Sequence, residues 1–252
     1  MGRTLAGWSR LMLPLVAFMV ILAAWEGGVA HFQIRGWILP APSAIGAIAY
    51  DWRLELLSNT WTTTVETVSG FALAVLLGPP LALAVVWTPL LRRTVYPVLL
   101  ALQSIPKVAL APLITLWIGL GLWPKVVVVW LVCFFPIVVS TAAGLDSVPK
   151  PLLDLMRSMK ARRWQVFRRV RIPMAIPHFL TGCKIAVTFA VIGAVIAEFV
   201  GSEAGLGYLI LTASSQSQTA LAFAALAVLT ILSMLLYYLV EQVELLILRR
   251  MG

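Results

Sequence analysis

KVVVVWLVCFFPIVVSTAAGL, residues 125–145, is the stretch that decides the fold. It carries one charge, Lys125 at its start, and no acidic residue. As a helix rising about 1.5 Å per residue it spans about 30 Å, the thickness of the hydrocarbon core of a bilayer. Five further stretches share its character, at about 11–30, 61–87, 95–120, 179–200 and 220–248. With 61% hydrophobic and only 12% charged residues and a mean hydropathy of +0.98, they exclude a soluble globular domain. They predict an all-α integral membrane protein of six transmembrane helices. The spans use most of the 252 residues, so the expectation is a single transmembrane domain over 1–252 with one long loop at about 146–178.

The net charge of +9 follows the spans. Six spans put both termini on one side. If that side is the cytoplasm, it receives Arg3, Arg10, Arg92, Arg93, the eight Lys/Arg residues from Lys150 to Arg171, Arg249 and Arg250, leaving Arg35 and Arg53 outside. Fourteen against two is the asymmetry of positive-inside loops, and it accounts for the charge without nucleic acid. Cys133 and Cys183 fall in or beside apolar helices without ligand spacing and read as reduced packing residues. Residues 1–30 also fit a cleaved signal peptide ending at Gly28-Val29-Ala30. Retention is the expectation, because removal would leave an odd number of spans.

The long loop carries LLDLMRSMKARRWQVFRRVRIPMAIP, residues 152–177. Leu152, Leu155, Met156 and Met159 recur at spacings of three and four, which gives a surface helix one apolar ridge with Arg157 and Lys160 off it. Periodicity leaves two readings open: a ridge received by a groove in a partner protein, or a helix lying on anionic lipid.

Ionisable residues inside spans are costly and mark function. Lys107, between Pro106 and Pro112 in a span that needs a broken helix, is the candidate to line a pore. Glu66 is expected to pair with it or to cap a kink. Glu198, near the outer end of its span, and Lys184, near the cytoplasmic end, read as groups reaching for water. No lysine follows a glycine, so a phosphate-cradling Gly-x-x-x-x-Gly-Lys loop is excluded. Neither His31 nor His178 opens a His-Glu-x-x-His helix, and no Gly-x-Ser-x-Gly elbow occurs. The chain reads as a transporter rather than an enzyme, with no cofactor of its own. One alternative is an ion-coupled secondary transporter or channel, with Glu66, Lys107 and Glu198 as the relay and the basic loop bound to lipid.

Asp154-Leu155-Met156, Lys160 and Val170-Arg171-Ile172-Pro173 have the spacing of the Glu-Ala-Ala, Gly and Ile-x-Leu-Pro signature of the permease subunits of ABC-type importers. The acid is shorter here, the two small residues are bulkier, and Lys160 stands for the glycine. A left-handed backbone at Lys160 would cost roughly 1 kcal/mol relative to Gly. Trp25-Glu26, Leu39-Pro40-Ala41-Pro42-Ser43, Gln103-Ser104-Ile105-Pro106-Lys107 through Leu113, Glu198-Phe199-Val200 and Gly205-Leu206-Gly207-Tyr208 extend the match over nearly all six spans. The chain resembles the branch of this family serving nitrate, sulfonate, taurine and thiamine-precursor or riboflavin solutes. Its runs at 155–159 and 192–200 look closest to permeases for pyrimidine thiamine precursors or riboflavin.

The resemblance implies a type I ABC importer permease fold in a bacterial inner membrane, with a cytoplasmic coupling helix between helices 4 and 5. It implies coupling contacts from Asp154, Leu155, Met156, Arg157, Lys160, Ala161, Arg162, Arg163 and Pro173. The implied partners are a separate ATPase subunit, an extracytoplasmic solute-binding protein and a second permease chain, expected to be an identical copy.

Overall fold

The computed structural model describes residues 2–251, with side chains described from 12 to 250. The side chains of Arg3 and Arg10, used in the charge count above, lie outside the described residues. Regular structure among the described residues is entirely helical: α1 (Gly2–His31), α2 (Pro42–Asp51), α3 (Arg53–Trp87), α4 (Pro89–Gln103), α5 (Lys107–Ile118), α6 (Leu122–Asp146), α7 (Lys150–Ser158), α8 (Arg163–Val166), a π-helical turn (Phe167–Arg171), α9 (Ile172–Gly201), α10 (Leu206–Ser215) and α11 (Thr219–Met251).

Among the described residues five segments are long and apolar enough to cross a membrane: Met12–His31, Arg53–Trp87, Leu122–Asp146, Arg163–Gly201 and Thr219–Arg250. The third expected span, 95–120, is not one helix. α4 and α5 meet at 100°, and the number of spans is six when this bent pair is taken as one. The cause lies in Ser104-Ile105-Pro106. Proline has no N–H and pushes the preceding residue out of helical geometry, so the ladder ends in short-range bonds. Ser104 N–H donates to Ala101 O at 3.0 Å and Ile105 N–H to Leu102 O at 3.3 Å. Helix α9 of the fifth span also starts earlier than expected, at Ile172, and Ala175 in its first turns packs with Leu145 and Phe167 in a small buried cluster. Ile172 N–H reaches back five residues to Phe167 O, a widened turn that admits Pro173, which cannot donate.

The chain forms two compact units. In the first, Met1–Ser58 with Leu209–Val228, Glu26 of α1 accepts hydrogen bonds from Ser43 N–H at 3.0 Å and Ser43 Oγ at 2.6 Å. A carboxylate thus satisfies donors in the first turn of α2, where Pro42 needs none. Trp25 packs on Phe223 at 5.9 Å, and Thr219 Oγ1 donates to Trp37 O at 2.7 Å. In the second unit, Asn59–Tyr208 with Leu229–Gly252, the core joins Ala74 and Ala82 of α3, Ile137 and Val138 of α6 and Ala186, Ala190 and Ala194 of α9. α6 and α9 approach closely because glycines face the neighbouring chain. A Cβ on Gly182 would stand 2.8 Å from Ser140 Cβ, and one on Gly193 3.2 Å from Val129 Cα. In lipid, where apolar side chains gain nothing by leaving solvent, such close van der Waals packing is what holds helices together.

Candidate functional site

Lys107 opens α5 just after the break. Its Nζ donates to Gln103 O at 2.8 Å and sits 5.3 Å from the ring centre of Phe135. A cavity of about 430 Å³ lies beside it, lined by Leu100, Gln103, Ser104, Lys107, Val132, Pro136 and Phe189. Pro106 forms the break itself, while Pro112 lies inside α5 and does not line this cavity.

Glu66 does not pair with Lys107, contrary to expectation. It is 1% exposed, and its Oε1 accepts from Lys125 Nζ at 2.6 Å. Lys125 also donates to Ser202 Oγ at 2.6 Å, and Ser202 Oγ in turn donates to Ala204 O. Glu198 does not reach water: it too is 1% exposed. Thr63 Oγ1 donates to its Oε1 at 2.7 Å and Gly207 N–H to its Oε2 at 2.5 Å. Gly205 N–H donates to Asn59 Oδ1 at 2.6 Å and Leu206 N–H to Thr63 Oγ1 at 2.8 Å. The turn between α9 and α10 is therefore folded onto α3, and two glycines make this possible. Gly205 holds φ 117°, and a Cβ on Gly205 or Gly207 would run into the Glu198 carboxylate. Lys184, expected to reach for water, pairs with Glu244 at 2.6 Å.

The loop between α6 and α9 is built on Asp146, the last residue of α6. It binds both terminal nitrogens of Arg92, at 2.8 and 3.3 Å, and one of Arg171 at 3.4 Å. Arg171 also donates to Leu145 O at 3.0 Å. One carboxylate thus ties the starts of α4 and α9 to the end of α6. On α7, Asp154 pairs with Arg157 at 2.8 Å, both side chains exposed. The apolar ridge is split: Leu152 and Met156 are half-buried, whereas Leu155 is 55% and Met159 69% exposed.

Lys160 adopts φ 55°, the left-handed conformation that the glycine of the resembled signature would take without strain. Its N–H donates to Arg157 O at 2.8 Å and Ala161 N–H to Met156 O at 3.0 Å, the paired bonds that close a helix through a left-handed residue. Lys160→Gly should therefore stabilise this turn by about 1 kcal/mol. The check is amide exchange at 160 and 161, expected to slow about fivefold; unchanged or faster exchange would refute the strain. Arg162 N–H donates to Gln165 Oε1 at 2.8 Å, starting α8. Ala161 and Arg163 line a cavity of about 230 Å³ with Trp87, Arg157, Phe167 and Arg171. Trp87 meets Phe167 at 4.7 Å and Trp164 stacks on Phe167 at 6.0 Å. Pro173 lies in the first turn of α9.

Sequence reasoning passed over Lys125, Thr63, Ser202 and Asp146. Their partners are 59 residues or more away along the chain in three of the four cases, so no local pattern marks them. The Gly-x-Gly spacing after Glu198 was the one local sign of the node.

Residues 70–252 match the family described as binding-protein-dependent transport system inner membrane component. The formylaminopyrimidine transport permease protein ThiX of Halalkalibacterium halodurans is 36% identical over 232 residues, 92% of each chain. The riboflavin transport system permease protein RibX of Chloroflexus aurantiacus is 37% identical over 246 residues, 96% of this chain and 91% of the relative. The inward-facing MetNI methionine ABC transporter structure shares the fold, with a TM-score of 0.67 at 23% identity over 80% of this chain and 98% of that one. The family match, residues 70–252, includes the bent pair, the loop after α6 and the turn after α9. The chain accordingly belongs to the binding-protein-dependent transport system inner membrane component family, as a membrane-spanning permease subunit of an ABC importer.

Proposed function

We propose that this chain forms half of the path by which an ATP-driven importer moves a small heterocyclic solute, a pyrimidine thiamine precursor or a riboflavin-like molecule. The names of the ThiX and RibX relatives support a ring-bearing solute over the sulfonate, taurine and nitrate served elsewhere in the branch. A binding protein outside the membrane delivers the solute, two copies of the chain enclose the path, and a separate ATPase docks beneath each α7–α8 loop. Both termini lie in the cytoplasm. The Asp146 clamp supports that orientation, since it gathers Arg92 and Arg171 with the basic α7–α8 segment at one end of the second unit.

The observation that carries the reading is the loop itself. Exposed Leu155, Met159 and Trp164 stand among arginines on a surface whose roots are fixed to α4, α6 and α9 by Asp146. Closure of the ATPases would draw the two loops together, and the clamp would pass that movement to the helices around the cavity at the α4–α5 break. Asp154, Leu155, Met156, Arg157, Lys160, Ala161, Arg162 and Arg163 form the docking face, and Pro173 sets the start of the helix that receives the motion. An ion relay through Glu66, Lys107 and Glu198 finds less support, because Lys107 bonds away from the other two.

Asp154→Lys is expected to lower uptake about tenfold or more by placing like charge beside Arg157 on the docking face. The check is purification of the tagged chain in mild detergent beside this variant. An ATPase recovered with the wild type and lost with Asp154→Lys supports the reading, and a homogeneous wild-type complex without ATPase refutes it.

A further inference from the structure

Lys107, Lys125 and Lys184 all lie within apolar helices, and two of them are neutralised. Glu66 faces Lys125 and Glu244 faces Lys184, each at 2.6 Å. Among the described residues no carboxylate pairs with Lys107. Its hydrogen bond goes to Gln103 O and its charge faces the Phe135 ring. An ammonium has three donors, so two remain for another partner. Phe135 lies near the middle of α6, about 20 Å from Leu122 and about 16 Å from Asp146 along the helix at 1.5 Å per residue. An uncompensated cation at that depth is costly and marks a solute or ion path.

The cavity beside Lys107 supplies the rest. Its polar wall is Gln103, Ser104 and Lys107 at the break, and its apolar wall includes Pro136 of α6 and Phe189 of α9. Phe189, also near the middle of its helix, is 42% exposed, which leaves it surface for a further partner. The volume of about 430 Å³ falls within the range of small-molecule sites, roughly 300–1,000 Å³. We propose that this cavity is a solute-contact site inside the membrane for a flat heterocycle rich in hydrogen-bond acceptors, with Lys107 Nζ donating to a ring nitrogen or carbonyl and Phe189 against the ring face.

The lining decides the chemical class. It offers ammonium, amide and hydroxyl donors and no carboxylate, so a cationic solute is unmatched. A compact inorganic anion would satisfy Lys107 but leave the Phe189 and Pro136 side without a partner, whereas a ring covers both walls. This inference rests on the importer reading above and refines it.

The test is uptake into proteoliposomes by the assembled importer, with formylaminopyrimidine, riboflavin and methanesulfonate as probes, for the wild type, Lys107→Met, Lys107→Arg and Phe189→Leu. Lys107→Met is expected to lower uptake of the transported ring about tenfold or more, the loss of one charge-assisted hydrogen bond. Lys107→Arg should stay within about threefold and Phe189→Leu should fall several-fold, each with complex recovered at wild-type yield. Wild-type uptake in Lys107→Met overturns the proposal, as does wild-type transport of methanesulfonate in place of both rings. Should Lys107→Met fail to assemble, unchanged uptake by Phe189→Leu overturns it instead. A wild-type chain that recovers no ATPase and moves none of the three probes fails the importer reading itself, an outcome distinct from all of these.

Discussion

Lys125→Met should sharply lower the monodisperse yield and the thermal midpoint of the chain in detergent. Lys125 is 8% exposed and holds the carboxylate of Glu66, which is 1% exposed, at 2.6 Å. Removing one partner of a buried pair leaves the other charge uncompensated, at a cost of about 3–5 kcal/mol, set against a total stability of about 5–15 kcal/mol for a typical domain. The loss spreads beyond the pair, because Lys125 also holds Ser202 and so the turn that folds onto Glu198 and Thr63. The same physics predicts a rescue. Lys125→Met combined with Glu66→Leu removes both charges, and an apolar replacement of a buried pair is often neutral. The measurement is monodisperse yield and thermal midpoint in detergent for both variants. A single variant matching the wild type, or a double variant worse than the single, would show that the pair does not organise this node.

That node was only partly legible in the sequence. The apolar run of 125–145 identifies α6 because every position between Lys125 and Leu145 tolerates lipid or a packed neighbour. The α4–α5 break was signalled by Ser104-Ile105-Pro106, since proline acts on its immediate neighbours, but the 100° angle depends on packing that no local rule encodes. Lys160 shows the reverse: a spacing inherited from a family signature located a left-handed residue although lysine disguised it. Glu66, expected to pair with Lys107 or to cap a kink, pairs with Lys125 instead; the prolines that flank Lys107 mark a break in the helix and not a partner. What separates the two lysines is which helix faces α3, a tertiary fact. Glu198 near a helix end reads as solvated until Gly205 and Gly207 are seen to leave room for the chain to fold back over it. The short helices α2 and α10 escaped because neither is long enough to register as a span.

Gly144→Ala and Gly46→Ala are the same chemical change with opposite expected results. Gly46 lies inside α2, where a Cβ would meet nothing within 4 Å, so alanine should stabilise that helix by roughly 0.5–1 kcal/mol through lower chain entropy. At Gly144 a Cβ would stand 2.6 Å from His178 Cβ and 2.9 Å from Ala175 Cα. The second contact is backbone of α9, so no rotamer change relieves it and the helices must part. Overpacking of this kind costs about 1–3 kcal/mol, and here it acts where α6 and α9 bracket the α7–α8 loop. Two residues on, Asp146 receives Arg171, and Leu145 O receives the same guanidinium at 3.0 Å. Spreading α6 from α9 pulls on both bonds at once. Gly144→Ala should therefore lower the thermal midpoint in detergent and reduce uptake in whatever complex still assembles, whereas Gly46→Ala should do neither. If Gly144→Ala kept the wild-type midpoint and uptake, α6 and α9 would not depend on this close approach, and the transmission path from the loop through Asp146 would lose its structural basis.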